Sequence, residues 1–266
     1  WFQGDKGTDT ERPTADWKNA MSALGRNREE LIEKAVQEVI NDQINCGIDI
    51  VTDGEVRREN YIHHHCRYIN GIDFDYLTKK TARTGNYDCY LPTVISKVKF
   101  TEPFLDKEFQ INQKNSTKPV NITWPGPLTI TDTISDKFYF NNKNLGIDLS
   151  NVINEEVKAL ADAGCKYIQI DEPLFARKPT EANDFGIENL ERCFHGVSND
   201  VEKIVHICCG YPDKIDSDDY PKAPLHSYNN IAINLEDSTV DTISIEDAHR
   251  HNDLKLLEFF KTKKII

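Results

Sequence analysis

His206-Ile207-Cys208 is the stretch of this chain whose residue types and spacing speak most directly of chemistry. On a β-strand residues i and i+2 point to the same side, so an imidazole and a thiol two positions apart can approach one ion together. Mixed nitrogen and sulfur donors favour zinc over harder cations. A carboxylate able to join them stands at Glu246, at the polar-parity end of the next predicted strand. Cys209 has the opposite parity and does not serve the same ion. The pair also admits a plainer description, a buried histidine and cysteine that merely pack.

Acids form a second constellation: Glu55, Asp171 and Glu172 each follow immediately on a predicted strand. Carboxylates gathered there would hold an ammonium group. An amino acid bearing a thiol would use both constellations, its amine on the carboxylates and its sulfur on the metal, where coordination lowers the thiol pKa. Acids after strands also cap the helix that follows, which leaves each of the three, taken singly, open between two roles. His63-His64-His65-Cys66 looks like a metal cluster but is not read as one. Consecutive residues on a helix fan out by about 100° each and do not converge. In Ile245 to His251, His249 and His251 are expected to hydrogen-bond around a loop rather than act as ligands.

One pattern recurs in the elements that flank these residues. Residues 27–46 read as a helix capped by Asn27, with Glu30 at the capping-box spacing and Leu31, Ile32, Ala35, Val36, Val39 and Ile40 on one apolar face. Gly47 ends it, Ile48 to Val51 is β-prone, and Asp53-Gly54-Glu55 follows. The pattern returns with a helix through Ile153, Val157, Leu160 and Ala161, Gly164 as terminator, a strand from Tyr167 to Ile170, and Asp171-Glu172-Pro173. Further strands are predicted at Val120 to Thr123, Lys203 to Cys208, Thr242 to Glu246 and Lys263 to Ile266. Within them Ile168, Ile170, Val205, Ile207, Ile243 and Ile245 face the helices, and Gln169, Asp171, His206, Cys208, Ser244 and Glu246 face an axis. Strands alternating with helices, and polar groups at strand C-terminal ends, predict a (β/α)8 TIM barrel. The strands counted fall two short of closure, so the chain is expected to be truncated at both termini, with first and last strands missing. Residues 1–266 are expected to form a single barrel domain with an excursion over the barrel mouth at about 72–118.

A chain of 266 residues can bury one large core. Acids outnumber Lys and Arg by 44 to 32, for a formal charge of -12, and no basic stripe is evident, which argues against nucleic acid as a partner. No apolar run approaches the roughly 20 residues needed to cross a bilayer, and Trp1-Phe2-Gln3-Gly4 does not open a signal segment, so no membrane partner is expected. Seven cysteines without regular spacing are expected to be reduced thiols in the cytoplasm.

Asp53-Gly54-Glu55, Trp124-Pro125-Gly126-Pro127-Leu128-Thr129, Ile168-Gln169-Ile170-Asp171-Glu172-Pro173, His206-Ile207-Cys208 and Ser244-Ile245-Glu246 occur in this order. Together they resemble the catalytic barrel of the cobalamin-independent methionine synthase family, most closely its short, single-barrel members, from about residue 28 onward. The resemblance implies a zinc-dependent methyltransferase that converts homocysteine to methionine. It implies zinc on His206, Cys208 and Glu246, and the homocysteine amine on Glu55 and Asp171. In this family a fourth ligand, a Cys in a Pro-Asp-Cys-Gly setting, and a His proton donor belong after the position of Ile266, and a first strand with a Gly-Ser pair belongs before Trp1. The resemblance therefore assigns no catalytic proton donor within the chain. It departs from the long enzymes where they contact folate: Arg177 replaces an acid and Thr133 a pterin-stacking Trp, while Cys89 is kept within Asp88-Cys89-Tyr90-Leu91-Pro92. The methyl donor is thus either methyltetrahydrofolate or a methylcorrinoid protein. Two other readings stand beside this one: an alkyl transferase acting on another thiol such as coenzyme M, and a non-catalytic remnant of the family.

Overall fold

The computed structural model describes residues 19–82, 87–209, 223–224, 226–247 and 251–266 of the protein. Trp1-Phe2-Gln3-Gly4 and His249, both named above, lie outside the described residues. Along the chain run helix α1 (Arg28–Asn45), α2 (His63–Cys66), strands β1 (Asn70–Ala82) and β2 (Tyr87–Lys99), α3 (Leu105–Lys114), β3 (Asn121–Pro125), α4 (Pro127–Thr133), β4 (Ser135–Asp136) and α5 (Asn142–Asp162). There follow β5 (Tyr167–Asp171), α6 (Leu174–Arg177), α7 (Pro179–Glu181), a π-helical turn at Ala182–Gly186, α8 (Ile187–Cys193), β6 (Glu202–Ile207), α9 (Ser227–Asp237), β7 (Thr242–Ile245) and β8 (Lys264–Ile265).

Both predicted glycine terminators hold. Gly47 and Gly164 follow α1 and α5 at φ of 84° and 96°, the left-handed turn that L side chains avoid. The predicted cap of α1 does not form: Asn27 makes no side-chain cap hydrogen bond, because Gly25–Asn27 is already a 3-10 turn running into the helix. An extended N-cap, the geometry that lets the side chain reach back, is therefore lost.

The main sheet is parallel, in the order β3-β5-β6-β7-β8. Val51 bridges to Val120 on the outer side of β3, so each sequence-predicted strand lies beside the next. That sequential order, with helices between strands, is the barrel arrangement, left open in the described residues. The first predicted strand shrinks to this single bridge. Ile48 and Ile50 stay exposed, and a β-prone run with no face to bury has little reason to extend.

The core lies between sheet and helices. Ile168, Ile170, Val205, Ile207 and Ile243 are fully buried, in one apolar cluster with Leu145, Leu149, Ile153 and Val157 of α5 and Leu190 of α8. The stretch predicted as an excursion holds the antiparallel hairpin β1–β2 together with α3. Residues Thr93 and Val94 of the hairpin pair in parallel with β4, and Lys80 Nζ donates to Asp132 O of α4 at 2.6 Å.

Helix α3 takes its cap from elsewhere: Glu156 of α5 accepts from the backbone N–H groups of Phe104 and Leu105, at 3.0 and 2.7 Å. Burial outweighs these donors and pushes the Glu156 carboxyl from 4.5 up to about 7, with Asp106 and Glu108 adding repulsion. The folded protein thus keeps this proton to about pH 7, whereas the unfolded chain releases it near 4.5. Stability should fall as pH rises through that window, by on the order of 3 kcal/mol at most. Glu156→Gln retains an acceptor oxygen and has no proton to lose. Denaturant titrations at pH 5 and pH 8 should show a smaller fall in the variant than in the parent, the remainder belonging to the buried carboxyls that both proteins keep.

Candidate active site at the strand ends

The acidic motif after Val51 is held as a tight loop. Gly54 has φ 65°, and Glu55 adopts φ 56°, a left-handed conformation uncommon for a residue with a side chain. Asp53 Oδ1 accepts from the Glu55 N–H at 2.9 Å, and the Arg58 N–H closes the turn on Glu55 O at 2.9 Å. A Cβ on Gly54 would lie 2.5 Å from Val39 of α1, which explains the glycine. The Glu55 side chain then meets Arg58 Nη1 at 2.8 Å and the Thr123 hydroxyl of β3 at 3.1 Å, both on Oε1. Oε2 is left with no partner among the described residues.

Asp171 ends β5 at the same mouth. Gln169, two positions back on the same side, donates to Asp171 Oδ1 at 2.7 Å, as the strand parity requires. Oδ2 remains without a partner among the described residues. Burial pushes the Asp171 carboxyl up to about 7, against the Gln169 hydrogen bond, and the Glu55 charge adds to the rise. Two carboxylates within electrostatic reach, each with an oxygen to spare, make a site that gains from a cation between them.

Glu172 departs from the expectation that it would join them. It is fully buried, and both oxygens are taken: Oε1 by Leu128 N–H at 2.9 Å, Oε2 by Thr129 N–H at 3.0 Å and the Thr129 hydroxyl at 2.7 Å. It caps a helix, though α4 rather than the one that follows it in sequence. Burial pushes its carboxyl up to about 8 despite these donors. This brace also accounts for the glycine of Trp124-Pro125-Gly126-Pro127, since a Cβ on Gly126 would fall 2.1 Å from the Glu172 carboxylate. A carboxylate fixed by three donors cannot step aside. Gly126→Ala should therefore cost about 3 kcal/mol or more, read as a lower urea midpoint at unchanged slope.

The His206, Cys208 and Glu246 constellation lies one strand further on. His206 pairs in register with Ser244, and His206 Nδ1 lies 2.9 Å from Ser244 Oγ. That contact orients the ring and leaves Nε2 as the nitrogen available to a ligand. Burial holds the His206 pKa below its ordinary value, so the imidazole is neutral, the form a metal requires; Glu246 opposes the fall. Cys208 is partly exposed at the strand end, while Cys209 is buried with its Sγ 3.4 Å from the Tyr228 hydroxyl, as the opposite parity predicts. Glu246 Oε2 accepts from the Cys209 N–H at 3.0 Å, which draws the carboxylate to the end of β6. Among the described residues, no three His, Cys, Asp or Glu side chains already converge at metal-binding distance. The donor types and their adjoining strand ends nevertheless suit zinc: a neutral imidazole nitrogen, a thiol and a carboxylate.

Residues outside the motifs complete the mouth. The Tyr228 hydroxyl of α9 donates to Ile207 O at 2.8 Å and accepts from Glu246 N–H at 3.2 Å, which ties the two ligand-bearing ends together. Burial, with the charges of Asp171, Cys208, Glu172 and Glu55 behind it, raises the Tyr61 pKa, so its hydroxyl stays neutral. The His63 to Cys66 run is a buried turn of helix whose rings diverge: His63 Nε2 lies 3.2 Å from Thr133 O, His65 Nδ1 lies 2.8 Å from Tyr61 O, and His64 turns to Glu59. His251 lies 3.2 Å from Asp247 Oδ2 in an exposed loop, as expected of it.

Comparison with known proteins gives the family and the fold. The chain is 32% identical over 257 residues to a protein of Sulfurisphaera tokodaii named methionine synthase, covering 89% of this chain and 74% of that one. It is 38% identical over 184 residues to the protein of the same name from Saccharolobus solfataricus, covering 68% of this chain and 53% of that one. Among solved structures, a B12-independent methionine synthase from a Shewanella species, in complex with selenomethionine, superposes with TM-score 0.81 at 32% identity, over 91% of this chain and 71% of that one. A Listeria monocytogenes protein described as a vitamin-B12 independent methionine synthase shares the fold, with TM-score 0.66 at 15% identity. Residues 6–266 match the family described as cobalamin-independent synthase, catalytic domain, and the chain belongs to that α/β barrel family.

Proposed function

We propose that this chain is the catalytic domain, or most of it, of a zinc-dependent methyltransferase that forms methionine from homocysteine. The observation that carries the reading is the pair Glu55 and Asp171: two carboxylates, each with an uncommitted oxygen, facing the same mouth as His206 and Cys208. An α-ammonium between the carboxylates relieves their repulsion and directs the rest of a short amino acid along the strand ends. His206, Cys208 and Glu246 would hold zinc, with Glu246 turning from the Cys209 amide to do so. The metal's contribution is to keep the substrate sulfur a thiolate at neutral pH. The chain's own residues do the placing: Ser244 fixes the His206 ring, Tyr228 ties Ile207 to Glu246, and Glu55 and Asp171 set the distance from amine to sulfur.

The same carboxylates weigh against coenzyme M, whose sulfonate would want cations where these acids stand. The donor is methyltetrahydrofolate or a methylcorrinoid protein. Thr133, at the position of a stacking ring in the long enzymes, offers only a hydroxyl, which is spent on Thr129 O at 2.8 Å. This favours the corrinoid donor. A cytoplasmic location belongs to the reading: none of the described cysteines is in a disulfide, and among the described residues no helix is long and apolar enough to cross a membrane.

The test is methyl transfer by the full-length gene product, with homocysteine or coenzyme M as acceptor and methylcobalamin or methyltetrahydrofolate as donor. Methionine formation with no coenzyme M product supports the reading. Coenzyme M methylation overturns the acceptor, and absence of product with every pair favours a non-catalytic remnant.

A further inference from the structure

The ion pair behind the amine site is lopsided. The Arg58 side chain is 2% exposed, whereas that of Glu55 is 40% exposed. The cation is sealed beneath its partner, so the anion alone looks into the mouth. Arg58 Nη1 also donates to the Thr123 hydroxyl at 2.6 Å, and Nη2 reaches Thr123 O at 3.3 Å. Thr123 in turn donates to Glu55 Oε1 at 3.1 Å. Guanidinium, hydroxyl and carboxylate thus close a ring joining the loop after Val51 to β3. All of its bonds to Glu55 fall on Oε1, which turns Oε2 outward from a residue already held at φ 56°. A planar fork suits this task, because it grips two acceptors in fixed directions, as a lysine does not.

We propose that Arg58, with Thr123, is a positioning residue that aims the Glu55 carboxylate at the substrate amine and so sets the preference for amino-acid thiols over thiols without an amine. The proposal rests on the homocysteine reading above. A residue that holds only the amine-binding group should affect recognition of the amine and leave binding of the thiol end alone.

The experiment uses Arg58→Gln, Arg58→Lys and Thr123→Val in the full-length gene product. It measures kcat and KM for homocysteine and the inhibition constant of 4-mercaptobutyrate, the same thiol acid without the amine. Arg58→Gln should raise the homocysteine KM by about 10- to 100-fold, the range of a charge-assisted hydrogen bond, with kcat and the inhibition constant each within about twofold. Arg58→Lys should recover part of the loss, and Thr123→Val should show a smaller shift in the same direction. If Arg58→Gln does not fold, Thr123→Val alone decides by the same criterion. An equal rise in KM and inhibition constant, or no change in either, overturns the clamp while homocysteine turnover by the parent leaves the functional reading standing. A parent that does not turn over homocysteine overturns both.

Discussion

Cys208→Ser should leave the protein folded, strip it of most of its zinc and reduce methyl transfer to homocysteine by about 1,000-fold or more. Serine exchanges a strong, soft ligand for a weak one at the same position. The fold should tolerate the change because Cys208 sits partly exposed at the end of β6, outside the buried core. Cys209→Ser makes a matched control. Its sulfur lies in the core against Tyr228, so it should lower stability while zinc stoichiometry holds. Elemental analysis beside a circular dichroism spectrum checks both. Equal zinc in the parent and the Cys208→Ser protein would remove Cys208 from the ligand set.

The second large effect belongs to Asp171→Asn. Losing one of two charges on the substrate ammonium should lower kcat/KM for homocysteine by about 100-fold, as for a lost hydrogen bond to a charged group. The pH dependence separates this from a general disturbance. With its carboxyl raised to about 7 by burial and the Glu55 charge, Asp171 in the free protein takes up a proton as pH falls below 7 and can no longer pair with an ammonium. Parent kcat/KM should therefore fall about tenfold per pH unit below that point, and the Asn variant should lack this limb. The variant should also be at least as stable as the parent at pH 8, where it is spared a buried carboxylate. A parent profile flat from pH 5 to 8 would contradict the assignment.

Both effects rest on residues legible in the sequence, and what was legible has a physical pattern. Strand parity carries information because side chains alternate strictly, so Gln169 with Asp171, and His206 with Ser244, meet as their positions require. Glycine terminators were equally legible, since few other residues accept the backbone at Gly47 and Gly164. Depth of burial was not. Glu172 looks like Asp171 in the sequence, and only the packing of α4 over the end of β5 turns one acid into a structural brace while its neighbour keeps an oxygen for a ligand. Contacts between distant segments were also hidden. Arg58 meets Thr123, and Tyr228 meets Ile207 and Glu246, through chain crossings that no local period announces. The first strand failed for a third reason: Ile48 to Val51 is β-prone, but a strand needs a face to bury, and only Val51 found one.

The ends of β6 and β7 would offer imidazole, sulfur and carboxylate to one cation, which would also take the substrate sulfur. Zinc-edge X-ray absorption on the full-length gene product, before and after homocysteine, tests it most directly. The account predicts a shell of nitrogen, oxygen and sulfur that gains one sulfur neighbour when homocysteine binds. An unchanged shell in a protein that demonstrably binds homocysteine would contradict it.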